Sequence, residues 1–168
     1  MSAHKVTVRW ALGDGDFLKR HYSRVHALAF EGGVEVAGSA STSVVPAPWS
    51  SPEAVDPEAA FTASLSACHM LWFLDHAVRA GFIVTSYIDH AEGTLARNAD
   101  GKMAMTRVVL RPAIAFAVTP TDEAIAALHH VAHADCFIAN SVTTEVLIEA
   151  PLPGFAGTPP GGRREGPS

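Results

Sequence analysis

Cysteine is scarce in this chain, with two in 168 residues. That excludes a disulfide-built scaffold, in which several bridges replace a hydrophobic core. Charge is sparse as well: 17% of residues are charged, the formal net charge is −5, and no basic stripe appears. The electrostatic footprint of a nucleic-acid binder is therefore missing. No apolar run reaches the ~18 residues that a membrane-spanning helix requires. Lys5 and Arg9 lie near the N-terminus without an apolar block behind them, so no secretory signal is expected and the cytoplasm is the default location. No internal repeat of about 20–50 residues occurs. What the chain does have is apolar content, 48% of residues. At this length one domain buries roughly two-thirds of its unfolded surface. The expectation is one domain over residues 1–150 and a disordered Pro/Gly-rich tail over 151–168.

Residues 5–10 (K-V-T-V-R-W) alternate polar and apolar, the period of a half-buried strand. A second strand is expected over 25–30, a turn at Glu31-Gly32-Gly33, and a returning strand over 34–39. The Ser- and Pro-rich stretch 41–52 reads as an exposed loop. Asp56-Pro57-Glu58 then opens a helix: Asp caps, Pro takes the first helical position, and an acid sits in the first turn. Neither Gly nor Pro interrupts residues 59–80, and Gly81 can stop the helix. The segment is apolar on most of its circumference, which predicts a buried central helix. A strand is predicted over 82–95, a turn at Asn98-Ala99-Asp100-Gly101, and a long strand over 103–116 with an edge or bulge at Pro112. A second helix follows from Pro120 to about His133, then a last strand over 143–149. The order predicts an α+β fold: an antiparallel sheet of about six strands, a long buried helix and a second helix. A helix apolar on both sides needs a further cover, and a second copy of the chain is the simplest.

Two cysteines stand where chemistry is possible, Cys68 inside the central helix and Cys136 after the second one. Both also suit small core positions. A redox pair would need one thiol held as the thiolate by a nearby cation, since the thiolate is the nucleophile. Arg24 is the candidate cation and Glu58 the candidate to orient it. Each also has an ordinary reading, Arg24 as a solvated charge and Glu58 as a helix-dipole partner. Phe61, Leu65 and Trp72 are the candidates for an apolar pocket near Cys68.

The run Asp56-Pro57-Glu58-Ala59-Ala60-Phe61-Thr62-Ala63-Ser64-Leu65-Ser66-Ala67-Cys68 resembles the signature of the OsmC/Ohr family, the osmotically inducible and organic hydroperoxide resistance proteins. The second Cys before the last strand and the Gly-rich hairpin ahead of the central helix are similar too. The resemblance covers roughly residues 5–150, and it departs from the family where Phe137 replaces the Pro that usually follows the second Cys. It implies an OsmC-like, intertwined homodimer without a bound cofactor. It further implies a thiol peroxidase in which Cys68 attacks an organic hydroperoxide, Cys136 resolves the product, and Arg24 and Glu58 hold the thiolate. The reductant it implies is an external dithiol of lipoyl type, free or on a lipoylated protein. No nucleic acid or membrane partner is expected.

Two other readings stay open on the residues. His129 and His133 share a helix face and Cys136 follows three residues later, a possible three-ligand zinc site. A non-catalytic dimeric binding module, with cysteines used only for packing, is the other. Helix geometry adds one constraint. Glu58 and Cys68, ten residues apart, stand ~15 Å apart along an unbroken helix. Either the helix breaks after its first turn, or a partner chain delivers one group of the Glu–Arg–Cys set.

Overall fold

The computed structural model describes residues 1–149, so the expected tail lies outside the described residues. They fall into two compact units, Met1–Phe61 and the part from Thr62 onward.

The first unit carries β1 (Val6–Arg9), β2 (His26–Phe30) and β3 (Glu35–Gly38), paired antiparallel in the order β1-β2-β3. The turn between β2 and β3 closes with Gly33 at φ +81° and its N–H donating to the Phe30 carbonyl at 3.0 Å. Only glycine takes that backbone region without strain. The sheet leaves much apolar surface open: Val6, Val8, Phe30 and Val34 are all exposed. Trp10, Phe17 and Tyr22 form an aromatic cluster beside it, with Trp10 and Phe17 each within 5.4 Å of the Tyr22 ring centre.

Helix α1 runs unbroken from Pro57 to Arg79. Its N-terminus is capped as the Asp-Pro-Glu signal predicts: the Ala59 N–H donates to the Asp56 carboxylate at 2.7 Å. Its C-terminus closes on Gly81, at φ +79°, where the Phe82 N–H reaches the Ala77 carbonyl at 2.9 Å. The buried residues are Thr62, Leu65, His69, Phe73 and Ala77, a single stripe at helical spacing. The expectation of a helix buried all round is therefore corrected for the chain on its own, since Leu71 and Val78 are 62% and 75% exposed.

After α1 come β4 (Val84–Asp89), β5 (Glu92–Arg97), β6 (Met103–Leu110), β7 (Pro112–Phe116), helix α2 (Asp122–Asp135), a short 3-10 turn (Ala139–Ser141) and β8 (Glu145–Ile148). The strands expected over 82–95 and 103–116 each prove to be two. β4 pairs antiparallel with β7 in one sheet, and β5-β6-β8 form another. β6 and β8 run parallel, from Arg107 opposite Glu145 to Leu110 opposite Ile148. Pro112 is the first residue of β7 rather than a bulge within one strand. Without an N–H it cannot continue the β6 ladder.

The chain changes sheets at Arg111, and side chains hold it there. The Arg111 N–H donates to the Asp89 carboxylate at 2.6 Å, while its guanidinium reaches Glu92 and Glu149 at 3.1 Å each. The other Asp89 oxygen accepts the Ser66 hydroxyl of α1 at 2.5 Å. Phe73 and Ala77 of α1 pack with Leu128 and Ala132 of α2, and Tyr87, Ile114 and Phe116 close the cluster from the β4–β7 sheet. Gly93 of β5 lets α1 come close, because a Cβ there would run into the Thr62 hydroxyl.

Candidate active site

Cys68 sits on α1, one residue before the buried His69, and is half-buried. Cys136 follows the last residue of α2 and is 1% exposed. The structure brings the two together, with the Cys68 side chain against the Cys136 thiol. Both are free. Burial pushes the Cys136 thiol up to about 11, and contact with Cys68 adds to the rise, while the Ala139 N–H pulls the other way. That N–H donates to the Cys136 sulfur at 3.5 Å. Cys136 is thus a protonated thiol at neutral pH, and the more accessible Cys68 is the one placed to meet a solute.

A pocket of about 340 Å³ opens at Cys68, with Leu71, Trp72 and Phe137 as apolar walls and the Asp75–Arg79 ion pair along the same helix. Of the residues expected to form an apolar pocket, Trp72 lines it. Leu65 does not; at 1% exposed it belongs to the buried stripe of α1. Phe61, last residue of the first unit, is half-buried.

Phe137 meets the Trp72 ring edge-to-face at 5.3 Å. Trp72 also stacks on His76 at 5.7 Å, and His76 Nε2 lies 2.9 Å from the Asp135 carboxylate. Sequence reasoning named Trp72 but missed the contacts that join it to His76, Asp135 and Phe137, although Cys68, Trp72 and His76 recur every four residues and so neighbour one another on α1. It also missed a buried pair, His69 and His129. Their rings stack at 5.3 Å, and Nε2 of His69 shares a hydrogen bond with Nδ1 of His129 at 3.0 Å. Burial drives both imidazoles down to about 4, with His129 and His133 adding to the effect on His69. Both are neutral at pH 7, so neither supplies a cation.

The zinc reading meets a geometric obstacle. His129 turns to His69 and Cys136 to Cys68. Among the described residues, no group of three or more His, Cys, Asp or Glu side chains could hold a metal ion. In the first unit, Arg24 is bound into its own loop: its guanidinium donates to the carbonyls of Arg20 at 3.0 Å and Tyr22 at 2.6 Å and lies 3.9 Å over the Tyr22 ring. Glu58 stands in the first turn of α1, with one carboxylate oxygen shielded from solvent.

The family model described as OsmC-like protein matches residues 50–150. The chain belongs to the OsmC-like family. An OsmC-like protein of unknown function from Vibrio cholerae is 48% identical, over 89% of this chain and 99% of that one, with a TM-score of 0.87. Solved structures at lower identity share the fold. They include an organic hydroperoxide resistance protein from Elizabethkingia anophelis (17% identity, 90% of this chain and 96% of that one, TM-score 0.68). The organic hydroperoxide resistance protein OhrB of Bacillus subtilis is another (16% identity, 89% and 98%, TM-score 0.61). No curated protein matches the sequence. Among the described residues, no helix of this OsmC-like protein is long and apolar enough to cross a membrane.

Proposed function

We propose that this OsmC-like protein is a thiol peroxidase that reduces organic hydroperoxides to alcohols. The observation that carries the reading is the meeting of a half-exposed Cys68 with a buried, protonated Cys136. The Cys68 thiolate attacks the distal peroxide oxygen. The O–O bond breaks, the alkoxide takes up a proton and leaves as the alcohol, and Cys68 becomes a sulfenic acid. Cys136 then attacks that sulfur. The S–S bond forms, the S–OH bond breaks, and the thiol proton leaves with the hydroxide as water. An external dithiol, of lipoyl type, returns the disulfide to two thiols and is itself oxidised. Arg24 is assigned to hold the thiolate and Glu58 to fix its guanidinium through a bidentate pair. The apolar walls at Cys68 favour organic hydroperoxides over hydrogen peroxide. A reducing cytoplasm suits this cycle.

The working unit in this reading is a homodimer. α1 has no break between Pro57 and Arg79, which favours a partner chain as the source of one group of the Glu–Arg–Cys set. The open apolar residues of α1 and of the β1-β2-β3 sheet supply surface for the partner to cover. Thiol titration before and after one equivalent of cumene hydroperoxide tests the chemistry. Wild type should lose two titratable thiols and yield cumyl alcohol, and Cys68→Ser should do neither. Alcohol formation by the Ser variant, or unchanged thiols in wild type, would refute the reading.

A further inference from the structure

Three consecutive residues at the end of α2 each touch α1. Asp135 accepts from His76 Nε2 at 2.9 Å. Cys136 lies against Cys68, and Phe137 meets Trp72 edge-to-face at 5.3 Å. Their partners on α1 are Cys68, Trp72 and His76, at intervals of four, so all three contacts fall along one face. Trp72 and His76 also stack on each other, which joins the two outer contacts into one unit. We propose that His76 and Asp135, with Trp72 and Phe137, are positioning residues: they anchor the residues immediately before and after Cys136 to the two turns of α1 that follow Cys68, and so hold Cys136 against Cys68. This rests on the reading of the two cysteines as a redox pair.

A single contact would leave the segment free to pivot. Contacts immediately before and after Cys136 fix its orientation as well as its place. The backbone beyond is tied in the same sense. The Asn140 N–H donates to the Cys136 carbonyl at 3.0 Å, and the Asn140 side-chain amide donates to the Ala134 carbonyl at 2.8 Å. Nor does the clamp read as ordinary core packing. Phe137 is 67% exposed, so its burial contributes little, and Asp135 is half-exposed. What these residues share is adjacency to Cys136. Holding two thiols together before reaction removes the entropy cost of bringing them together, which raises their effective concentration.

The test measures that effective concentration directly. Protein dithiol plus oxidised dithiothreitol is equilibrated with protein disulfide plus reduced dithiothreitol, and the species are counted by mass after alkylation. His76→Ala and Asp135→Asn should each lower the equilibrium constant roughly two- to tenfold, the range for a partly exposed, charge-assisted contact. The double variant should fall no further than the larger single effect, because both remove one interaction. His76→Gln, which keeps an N–H donor at the Nε2 position, should recover most of the loss. Phe137→Ala should lower the constant as well, and its combination with His76→Ala should fall short of the summed single effects, because Trp72 touches both partners. The proposal is overturned if His76→Ala leaves the constant unchanged, if Gln fails as Ala does, or if wild type forms no intramolecular disulfide. Wild-type protein that equilibrates normally yet leaves hydroperoxide untouched would refute the peroxidase reading and leave the clamp standing.

Discussion

Lowering the pH from 7.5 to 5 should cost this protein stability through the buried pair His69 and His129. A histidine in the unfolded chain titrates near 6.5. In the folded chain His69 is held down to about 4, first by burial and then by His129 and His133. Between those values the unfolded state binds more protons than the folded one, so stability rises with pH across the window. The stability is complete above about 6.5 and drains away as the pH falls toward about 4, where the native imidazole protonates too. Each unit of pH inside the window is worth about 1.4 kcal/mol for a fully shielded group. At pH 5, His69 alone accounts for roughly 2 kcal/mol. His129 is lowered as well, but it faces more solvent and shares its proton with His69, so it adds less than that. Urea unfolding at pH 7.5, 6 and 5 reads the loss. A His69→Leu/His129→Leu variant replaces the pair by apolar side chains of similar size. Its stability should fall by about 2–4 kcal/mol less over the same range, His69 alone supplying the lower figure, because the carboxylates common to both proteins cancel in the difference. Parallel pH curves for the two proteins would refute the argument.

Three further outcomes are expected. Cys136→Ser should complete one turnover with hydroperoxide and then accumulate sulfinic acid on Cys68, seen by mass spectrometry as two added oxygens; sustained turnover with dithiol would remove Cys136 from the cycle. Sedimentation equilibrium at micromolar concentration should give a dimer, and a fully active monomer would contradict the shared-site reading. Phe73→Ala empties the centre of the cluster formed with Ala77, Leu128 and Ala132 and should cost about 3–5 kcal/mol in urea unfolding; a loss below 1 kcal/mol would show that the site collapses freely.

Local punctuation was the most legible part of the chain. Asp56 and Gly81 bound α1 as their chemistry predicts, and Asn98 folds its own turn, with its side-chain oxygen accepting from Asp100 and Lys102. The exchanges between sheets were not legible. An apolar run over 82–95 or 103–116 carries no mark of where the chain leaves one sheet for another. Here the change at Arg111 is set by Asp89, Glu92 and Glu149, partners 19 to 38 positions away. Pro112 registered only as an edge or bulge inside one long strand, because its role as the start of β7 depends on which strand pairs with it. At the site, the two cysteines stood out by motif. The His69–His129 pair did not, because its partners are 60 residues apart and each imidazole alone looks like any other. Asp135 and Phe137 were visible only as neighbours of Cys136; their value comes from the α1 face they meet.

The Ser66–Asp89–Arg111 chain of hydrogen bonds has a consequence for Cys68. One carboxylate takes the Ser66 hydroxyl with one oxygen and the Arg111 amide with the other. It thereby pins the helix to the point where two sheets trade strands, two residues short of the sulfur. A slip of α1 along its axis by even one position would break that bond and drive another side chain toward Asp89. The helix is indexed there like a ruler against a stop. Cys68, open enough to meet a solute, thereby acquires the positional certainty usually reserved for atoms deep in a core.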